Sequence, residues 1–391
     1  MLNVCVLFGG DSVEHEISII SAQQAMAALD RTKYTVVPLY LAKNKQFYSS
    51  DALTDIAIFR DLDSLVAKQS PVTVVRENHK VFLKTAGFFP KKTEIDVVIP
   101  VVHGTHCEDG SVAGFLETLG IPYTGCDVLG GAVGQDKVVM KQILAHAGLP
   151  IVPWFWFMAA EAANDMTKIK AQALGLGYPV VVKPANLGSS VGITLVQSAD
   201  ELEAAIETAA QYDVKLLIEK GVHPLREINV SVLGYLDRRE ASVPEEVMKG
   251  DAILSYDNKY KGSSKSKGSS KSQGMASANR QCPADLSEEL TAHIQDLAKA
   301  TFRELNSAGV ARIDFLMNAE TQAVYVNEIN TIPGSLSFYL WEATGKPFSQ
   351  LMDDLVAIAI QRTRTRQKLI FSYSTNVLSA YKPGGPKGGA K

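Results

Sequence analysis

The stretch RIDFLMNAETQAVYVNEIN, residues 312–330, decides how this chain is read. Two runs, RIDFLM (312–317) and AVYVNEIN (323–330), flank the short polar turn NAETQ. That is the pattern of a β-hairpin. Residues two apart share a face of a strand. Arg312 and Asp314 therefore point the same way, and so do Glu328 and Asn330. Ile313, Phe315, Val326 and Ile329 supply the apolar positions of a half-buried pair, and Asn327 breaks the alternation. A register that aligns the two polar faces gathers Asp, Glu and Asn oxygens beside one arginine. An all-oxygen set of this kind suits Mg²⁺, which takes few protein ligands and fills its shell with phosphate and water. On the hairpin alone, two ordinary strands with solvent-facing polar residues is the plainer reading.

Upstream, VVVKPANLGSSVG (180–192) ends an apolar strand on Lys183 just before a Gly/Ser loop. Backbone N–H groups of such a loop can cradle phosphate, and a lysine at the strand end adds a point charge. Most Gly/Ser loops are only turns, so this piece is weak by itself. IEK (218–220) closes another strand with an acid and a lysine, which next to Lys183 could hold an adenine and a ribose. Neither G-x-x-x-x-G-K-[ST] nor G-x-G-x-x-G occurs. Their absence excludes a P-loop and weakens a nicotinamide site. HGTHCEDG (103–110) places His103, His106, Cys107, Glu108 and Asp109 in one short loop, which could suggest zinc. It lacks the usual second ligand pair at a distance, so a structural loop is the better reading.

The frame around these pieces is that of a multi-domain α/β protein. At 391 residues the chain is too long for one ordinary core. Apolar content of 46%, with 21% charged residues and a net charge of −3, gives no global sign of a nucleic-acid or membrane partner. No apolar run approaches the roughly 20 residues that cross a bilayer. The start, MLNVCVLFGGDS, has no basic segment and too short an apolar run for a signal peptide. Four scattered cysteines without a C-x-x-C pair fit a reducing compartment. These features give a cytoplasmic expectation.

LNVCVLF (2–8), a glycine turn, the helical pattern 15–29 and YTVVPLYL (34–41) open a βαβ unit. PVTVVRENHKVFLK (71–84) reads as a hairpin, and IDVVIPVVHG (95–104) as a buried strand entering a polar loop. Residues 1–126 are therefore expected to form an open α/β domain, with site loops after the carboxyl ends of its strands. A helix over 128–147 leads to a small α+β layer, 127–221, and a third unit runs over 222–367. The tail, 368–391, is too rich in Gly, Pro and Lys to pack. DNKYKGSSKSKGSSKSQGM (257–275) interrupts the third unit rather than joining two units, which favours a loop over a site and not a tether.

The ordered series LFGGDSVEHEIS, HGTHCEDGS, GIPYTG, QDKVVMKQIL, GLPIVPW, YPVVVKPANLGSSVG, LIEK, NKY, ARIDF and NEINTIPG resembles the D-alanine–D-alanine ligase family of ATP-grasp enzymes over about residues 1–360. The resemblance implies three α/β and α+β domains in an ATP-grasp architecture, with ATP gripped between the second and third. It implies that two D-alanine molecules are joined through an acyl phosphate for peptidoglycan precursor synthesis. ATP and Mg²⁺ are the implied cofactors, with two ions and with Mn²⁺ as a substitute. A homodimer is also implied. Lys137 and Lys183 resemble the lysines that hold ATP phosphates, with Ser189 and Ser190 in the loop beside them. Glu219, Lys220 and Val222 look like the adenine edge, and Glu227 like the ribose carboxylate. Asp314, Glu328 and Asn330 match the magnesium ligands. Arg312 and the backbone of Gly334 look like the stabilisers of the transferring phosphate and the tetrahedral oxyanion. Glu14, Ser189 and Tyr260 resemble the trio beside the first D-alanine.

Residues 256–275 coincide with the family's mobile lid, whose Lys-Tyr pair is Lys259-Tyr260 here. Relatives that make D-alanyl-D-lactate carry phenylalanine at the tyrosine position, so Tyr260 implies an amine acceptor. Two departures stand out. The family's second-substrate serine is Tyr339 here, leaving Ser335, Ser337 or the Tyr339 hydroxyl to take its place. Cys107 replaces a glycine of the family's H-G-x-x-G-E-D-G. The rival readings are an ATP-grasp ligase with another acceptor such as D-serine, and a catalytically silent nucleotide-binding protein.

Overall fold

The computed structural model describes residues 1–188, 190–248, 280–372, 376 and 379. Three sheets organise them. The first has seven strands, ordered Lys92–Ile95, Lys80–Thr85, Pro71–Glu77, Phe47–Tyr48, Tyr34–Leu41, Leu2–Gly9 and Val97–Val102. Leu2–Gly9 runs parallel to both Tyr34–Leu41 and Val97–Val102, as the βαβ opening predicts. The expected hairpin is the antiparallel pair Pro71–Glu77 and Lys80–Thr85.

The turn after the first strand must be glycine. Gly9 and Gly10 have φ of 96° and 98°. A Cβ on Gly9 would lie 2.2 Å from the Leu41 carbonyl oxygen. Ser18, in the helix His15–Ala28, ties this turn down. Its Oγ accepts from Gly9 N at 2.8 Å and donates to the Val101 carbonyl at 2.5 Å.

The second sheet is antiparallel, ordered Thr194–Val196, Val180–Pro184, Lys215–Lys220 and Trp154–Met158. Val180, Val182, Leu216 and Ile218 pack with apolar residues of the helices Met166–Leu176 and Leu202–Ala210. On a second, smaller cluster Leu217 and Ala185 meet Val138 of the helix Lys137–His146. The single helix expected over 128–147 is two helices, Val128–Gln135 and Lys137–His146. Asp136 breaks it: its extended backbone ends one helix, and its carboxylate accepts from Val138 N and Val139 N to cap the next.

The third sheet orders Arg280–Gln281, Glu245–Val247, Leu225–Tyr235, Gly309–Asn318 and Val324–Asn330, with Arg238–Ala241 also on Leu225–Tyr235. The helix Glu288–Glu304 packs on it through Ile294, Ala298 and Phe302. Leu351, Met352, Leu355 and Val356, from the helix Phe348–Gln367, join the core of the first sheet. The helix Phe348–Gln367 thus closes the core begun by the first strand. Among the described residues no helix is long and apolar enough to cross a membrane.

Candidate functional site

The hairpin at 309–330 forms with the polar faces aligned. Arg312 lies opposite Asn330 and Asp314 opposite Glu328. The next pair is Phe315 with Val326, so Asn327 is the extra residue of a β-bulge. This accounts for the broken alternation. The bulge reverses the parity of the strand, and both Val326 and Ile329 turn into the core. Arg312 grips Asp314 with two bonds, Nε to Oδ1 at 2.6 Å and Nη2 to Oδ2 at 2.7 Å. Asn330 Nδ2 donates to Asp314 Oδ2 at 3.1 Å. The row extends further, because Asp314 lies opposite Asn229 and Asn229 opposite Glu245. Directly opposed residues share a face. One sheet face therefore carries Glu245, Asn229, Asp314 and Glu328 side by side.

The second sheet delivers its cations to the same place. Lys183 Nζ donates to Asn327 Oδ1, at the bulge, at 2.9 Å. Lys137 Nζ lies 3.6 Å from Glu328 Oε2 and donates to the Leu187 carbonyl at 2.7 Å. Lys183 Nζ is also 2.5 Å from Glu219 Oε2, and Lys141 Nζ is 2.7 Å from Glu219 Oε1. Burial alone would raise the Glu219 carboxyl, but Lys141 and Lys183 hold it down at about 2. Burial would lower Lys183, yet Glu219, Glu328 and Glu227 lift it above the ordinary lysine value. Glu227 therefore lies near enough to act on Lys183. Lys220 points elsewhere: its Nζ donates to the carbonyls of Gly177 at 2.7 Å and Tyr178 at 3.2 Å. Val222 is half-buried just beyond that strand, and Ser190 has φ of 58°.

The first sheet contributes its two polar loops. Glu14 is buried just before the helix His15–Ala28. Its Oε2 lies 3.1 Å from where a Cβ on Gly104 would sit and 3.7 Å from that position on Gly188. It therefore stands between the HGTHCEDG loop and the Gly/Ser loop. Glu108 Oε2 accepts from Gly104 N at 2.8 Å and Oε1 from Ile332 N at 3.3 Å. Burial and the neighbouring Glu14 push the Glu108 carboxyl up to about 8. His103 uses its ring nitrogens on the Ile332 carbonyl (2.9 Å) and Ser21 Oγ (3.2 Å), and His106 is exposed. Among the described residues no three His, Cys, Asp or Glu side chains converge as a metal group, and the zinc reading gains no support from this loop.

After the hairpin the chain makes a tight turn, Gly334–Ser337, with φ of 51° at Ser335, 53° at Leu336 and 51° at Ser337. Three successive non-glycine residues in this region are costly and persist only where the surroundings hold them. Ser21 Oγ helps, accepting from Ser335 N at 2.9 Å. Ser335 and Ser337 are buried, and Ser337 Oγ has no hydrogen-bond partner among the described residues. Tyr339 OH donates to Glu245 Oε1 at 2.9 Å, and Arg280 Nη1 contacts the same hydroxyl. The Arg280 guanidinium lies 4.8 Å from the Tyr339 ring centroid and pairs with Glu245 at 3.2 Å. Burial, then Glu245, raises the Tyr339 hydroxyl well above its usual range.

Sequence reasoning singled out Lys137, Lys183, Glu219, Glu227, Arg312, Asp314, Glu328 and Asn330, and the fold gathers these around the hairpin and the central sheet. It missed Lys141, Glu245 and Arg280 and gave Glu108 no site role. Lys141 had a signal, its i,i+4 spacing from Lys137. Glu245 and Arg280 had none, since strand pairing between distant segments makes them neighbours. Ser189, Lys259, Tyr260 and the expected lid lie outside the described residues, as does most of the expected tail. Asp314, Glu328 and Asn330 offer hard oxygen donors on one face, a set that fits Mg²⁺.

Comparison with known proteins bears on this geometry. Residues 3–126 match the family model for the D-ala D-ala ligase N-terminus, and residues 143–357 that for the D-ala D-ala ligase C-terminus. The D-alanine--D-alanine ligase of Thermosipho melanesiensis is 38% identical over 381 residues, 97% of this chain and 98% of that protein. The solved D-alanine-D-alanine ligase from Coxiella burnetii superposes with a TM-score of 0.78 at 31% identity, covering 94% of this chain and 96% of that one. The VanG D-Ala:D-Ser ligase from Enterococcus faecalis gives 0.76 at 27% identity, covering 92% and 99%. The ordered motifs, three sheets and full-length matches agree: this chain belongs to the D-alanine–D-alanine ligase family and has the ATP-grasp fold.

Proposed function

We propose that this chain joins two D-alanine molecules into D-alanyl-D-alanine, driven by ATP and serving peptidoglycan precursor synthesis. The observation that carries the reading is the meeting of Lys183 with Asn327 and of Lys137 with Glu328. A lysine of the second sheet and one of the helix packed on that sheet thus reach the oxygen face of the third sheet. Asp314, Glu328 and Asn330 are the residues that would hold Mg²⁺. When bound, Mg²⁺ supplies charge neutralisation for the nucleotide's outer phosphates.

The carboxylate of the first D-alanine attacks the γ-phosphorus, releasing ADP and leaving an acyl phosphate. Two anions meet in this step, and Lys137 and Lys183 reduce their repulsion. Glu14 pairs with the ammonium of the first substrate. The amine of the second D-alanine then attacks the acyl carbon, phosphate leaves, and the amine loses a proton. Arg312, held by Asp314, faces the oxyanion of that step, together with the Gly334 N–H. Ser189, Ser190, Lys259 and Tyr260 enter this reading through family likeness, with the adenine at Glu219–Val222 and the ribose at Glu227. So do a second Mg²⁺, Mn²⁺ substitution, a homodimer and a cytoplasmic location.

The Tyr339 cluster favours a second reading, an acceptor other than D-alanine such as D-serine. A panel of D-amino acids, read by phosphate release and product mass, separates the two. D-Alanine as best acceptor supports the first reading and D-serine the second. No amino-acid-dependent phosphate release would leave only a silent nucleotide-binding protein.

A further inference from the structure

Lys141 has no part in the reaction just described, yet it is built into the same place. It lies one helical turn beyond Lys137 on the helix Lys137–His146, so both side chains leave one helix face. Its side chain is 0% exposed, and Glu219 beside it is 1% exposed. A buried ammonium is costly unless an opposite charge answers it. Its Nζ lies 2.7 Å from Glu219 Oε1, while Lys183 Nζ lies 2.5 Å from Glu219 Oε2. The 2.7 Å contact is a charge-assisted one between two buried groups.

Counting charges shows its effect. Among Lys141, Glu219 and Lys183 one carboxylate stands between two ammonium groups, an excess of one positive charge that faces Glu328 and Glu227; burial pulls the Lys141 ammonium down, and Glu219 answers that pull. Without Lys141, the whole of the Glu219 charge would fall on Lys183, which already lies 2.5 Å from Oε2, and the pair would be neutral. Lys183 also donates to Asn327 of the hairpin, the side on which the proposed function puts the phosphates. We propose that Lys141 is a positioning residue: by sharing Glu219, it leaves Lys183 with positive charge to spend on the outer phosphates of the nucleotide. This rests on the reading of Lys183 as a phosphate ligand. The low Glu219 carboxyl, at about 2, agrees with a carboxylate shared by two cations that outweigh its burial.

The test is calorimetric titration of the full chain with Mg-ATP and, separately, with adenosine, which lacks phosphates. Wild type, K141M, E219Q and K141M/E219Q are compared. K141M is expected to weaken ATP about tenfold while adenosine stays within about twofold. The double variant is expected to recover at least about threefold of that loss, because the excess charge returns. K141M binding ATP like wild type, or weakening ATP and adenosine alike, would overturn the proposal. Should K141M not fold, E219Q must bind ATP several-fold more tightly than K141M/E219Q, having one more positive charge; equal affinities overturn it. A wild-type chain that does not bind ATP would overturn the functional reading itself, and this proposal with it.

Discussion

The proposed phosphate end and the proposed acceptor end of the site are built in opposite ways. At the proposed phosphate end, the described charged groups stand on strands or on the helix Lys137–His146. Asp314, Glu328 and Asn330 are set by one hairpin register, and Lys137 and Lys141 by one helical turn. At the acceptor end, Ser335 and Ser337 sit in a turn of left-handed residues, and Tyr339 is clamped by Glu245 and Arg280 from other strands. The first end is repetition of regular geometry. The second depends on contacts between segments far apart in the chain. Changes at the first should therefore act on chemistry shared by all ligases of the family, and changes at the second on which acceptor is taken.

The largest effect should come from the phosphate end. Asp314→Asn or Glu328→Gln is expected to lower D-alanine-dependent phosphate release by on the order of 10³-fold. Thermal melting of Glu328→Gln should stay within a few degrees of wild type, whereas Asp314→Asn also breaks the two-bond grip on Arg312 and should melt lower. Near-normal turnover in either would break the comparison at its stronger side.

Tyr339→Phe removes one hydroxyl and leaves Glu245 with Arg280. The acceptor KM should rise about tenfold while the ATP KM stays unchanged. Equal movement of both constants would erase the distinction between the ends.

A smaller effect lies where the loops meet. The Glu108 carboxyl stands at about 8 in the fold against an ordinary 4.5. The folded state therefore holds this proton more tightly than the unfolded one. The associated stability is fully present below about pH 4.5 and is lost as pH rises through about 8. Glu108→Gln, which imitates the protonated form, should flatten that part of the melting-temperature profile. An unchanged slope would show that Glu108 is not the group responsible.

The smallest effect concerns Lys220, whose ammonium is committed to the Gly177 and Tyr178 carbonyls. Lys220→Met should cost about 1 kcal/mol of stability, measured by denaturant unfolding, and leave the ATP KM alone. A several-fold rise in that KM would put the side chain, and not only its backbone, at the nucleotide.

Legibility in the sequence follows the same division. The period-2 pattern of 312–330 gave the hairpin, and even its flaw, Asn327, marked a real bulge. The turn was visible as two adjacent glycines after an apolar run, and the fold requires both, since a side chain at Gly9 would collide with Leu41 and one at Gly10 with Cys107. The break at Asp136 was missed, because helical periodicity on both sides hid a cap between them. Glu245 and Arg280 left no trace, since their proximity depends on the pairing of Val247 with Arg280. The loop 103–110 reads in the sequence as structural rather than zinc-binding, and the Glu108 oxygens do serve backbone N–H groups, but which ones depends on the distant Ile332 and was not legible.

The central claim is that a substrate carboxylate is joined to the γ-phosphate at the shared face of the two sheets. Turnover with D-alanine carrying ¹⁸O in its carboxylate tests this most directly. The account predicts one labelled oxygen in each phosphate released, alongside D-alanyl-D-alanine. Unlabelled phosphate formed together with the dipeptide would contradict it.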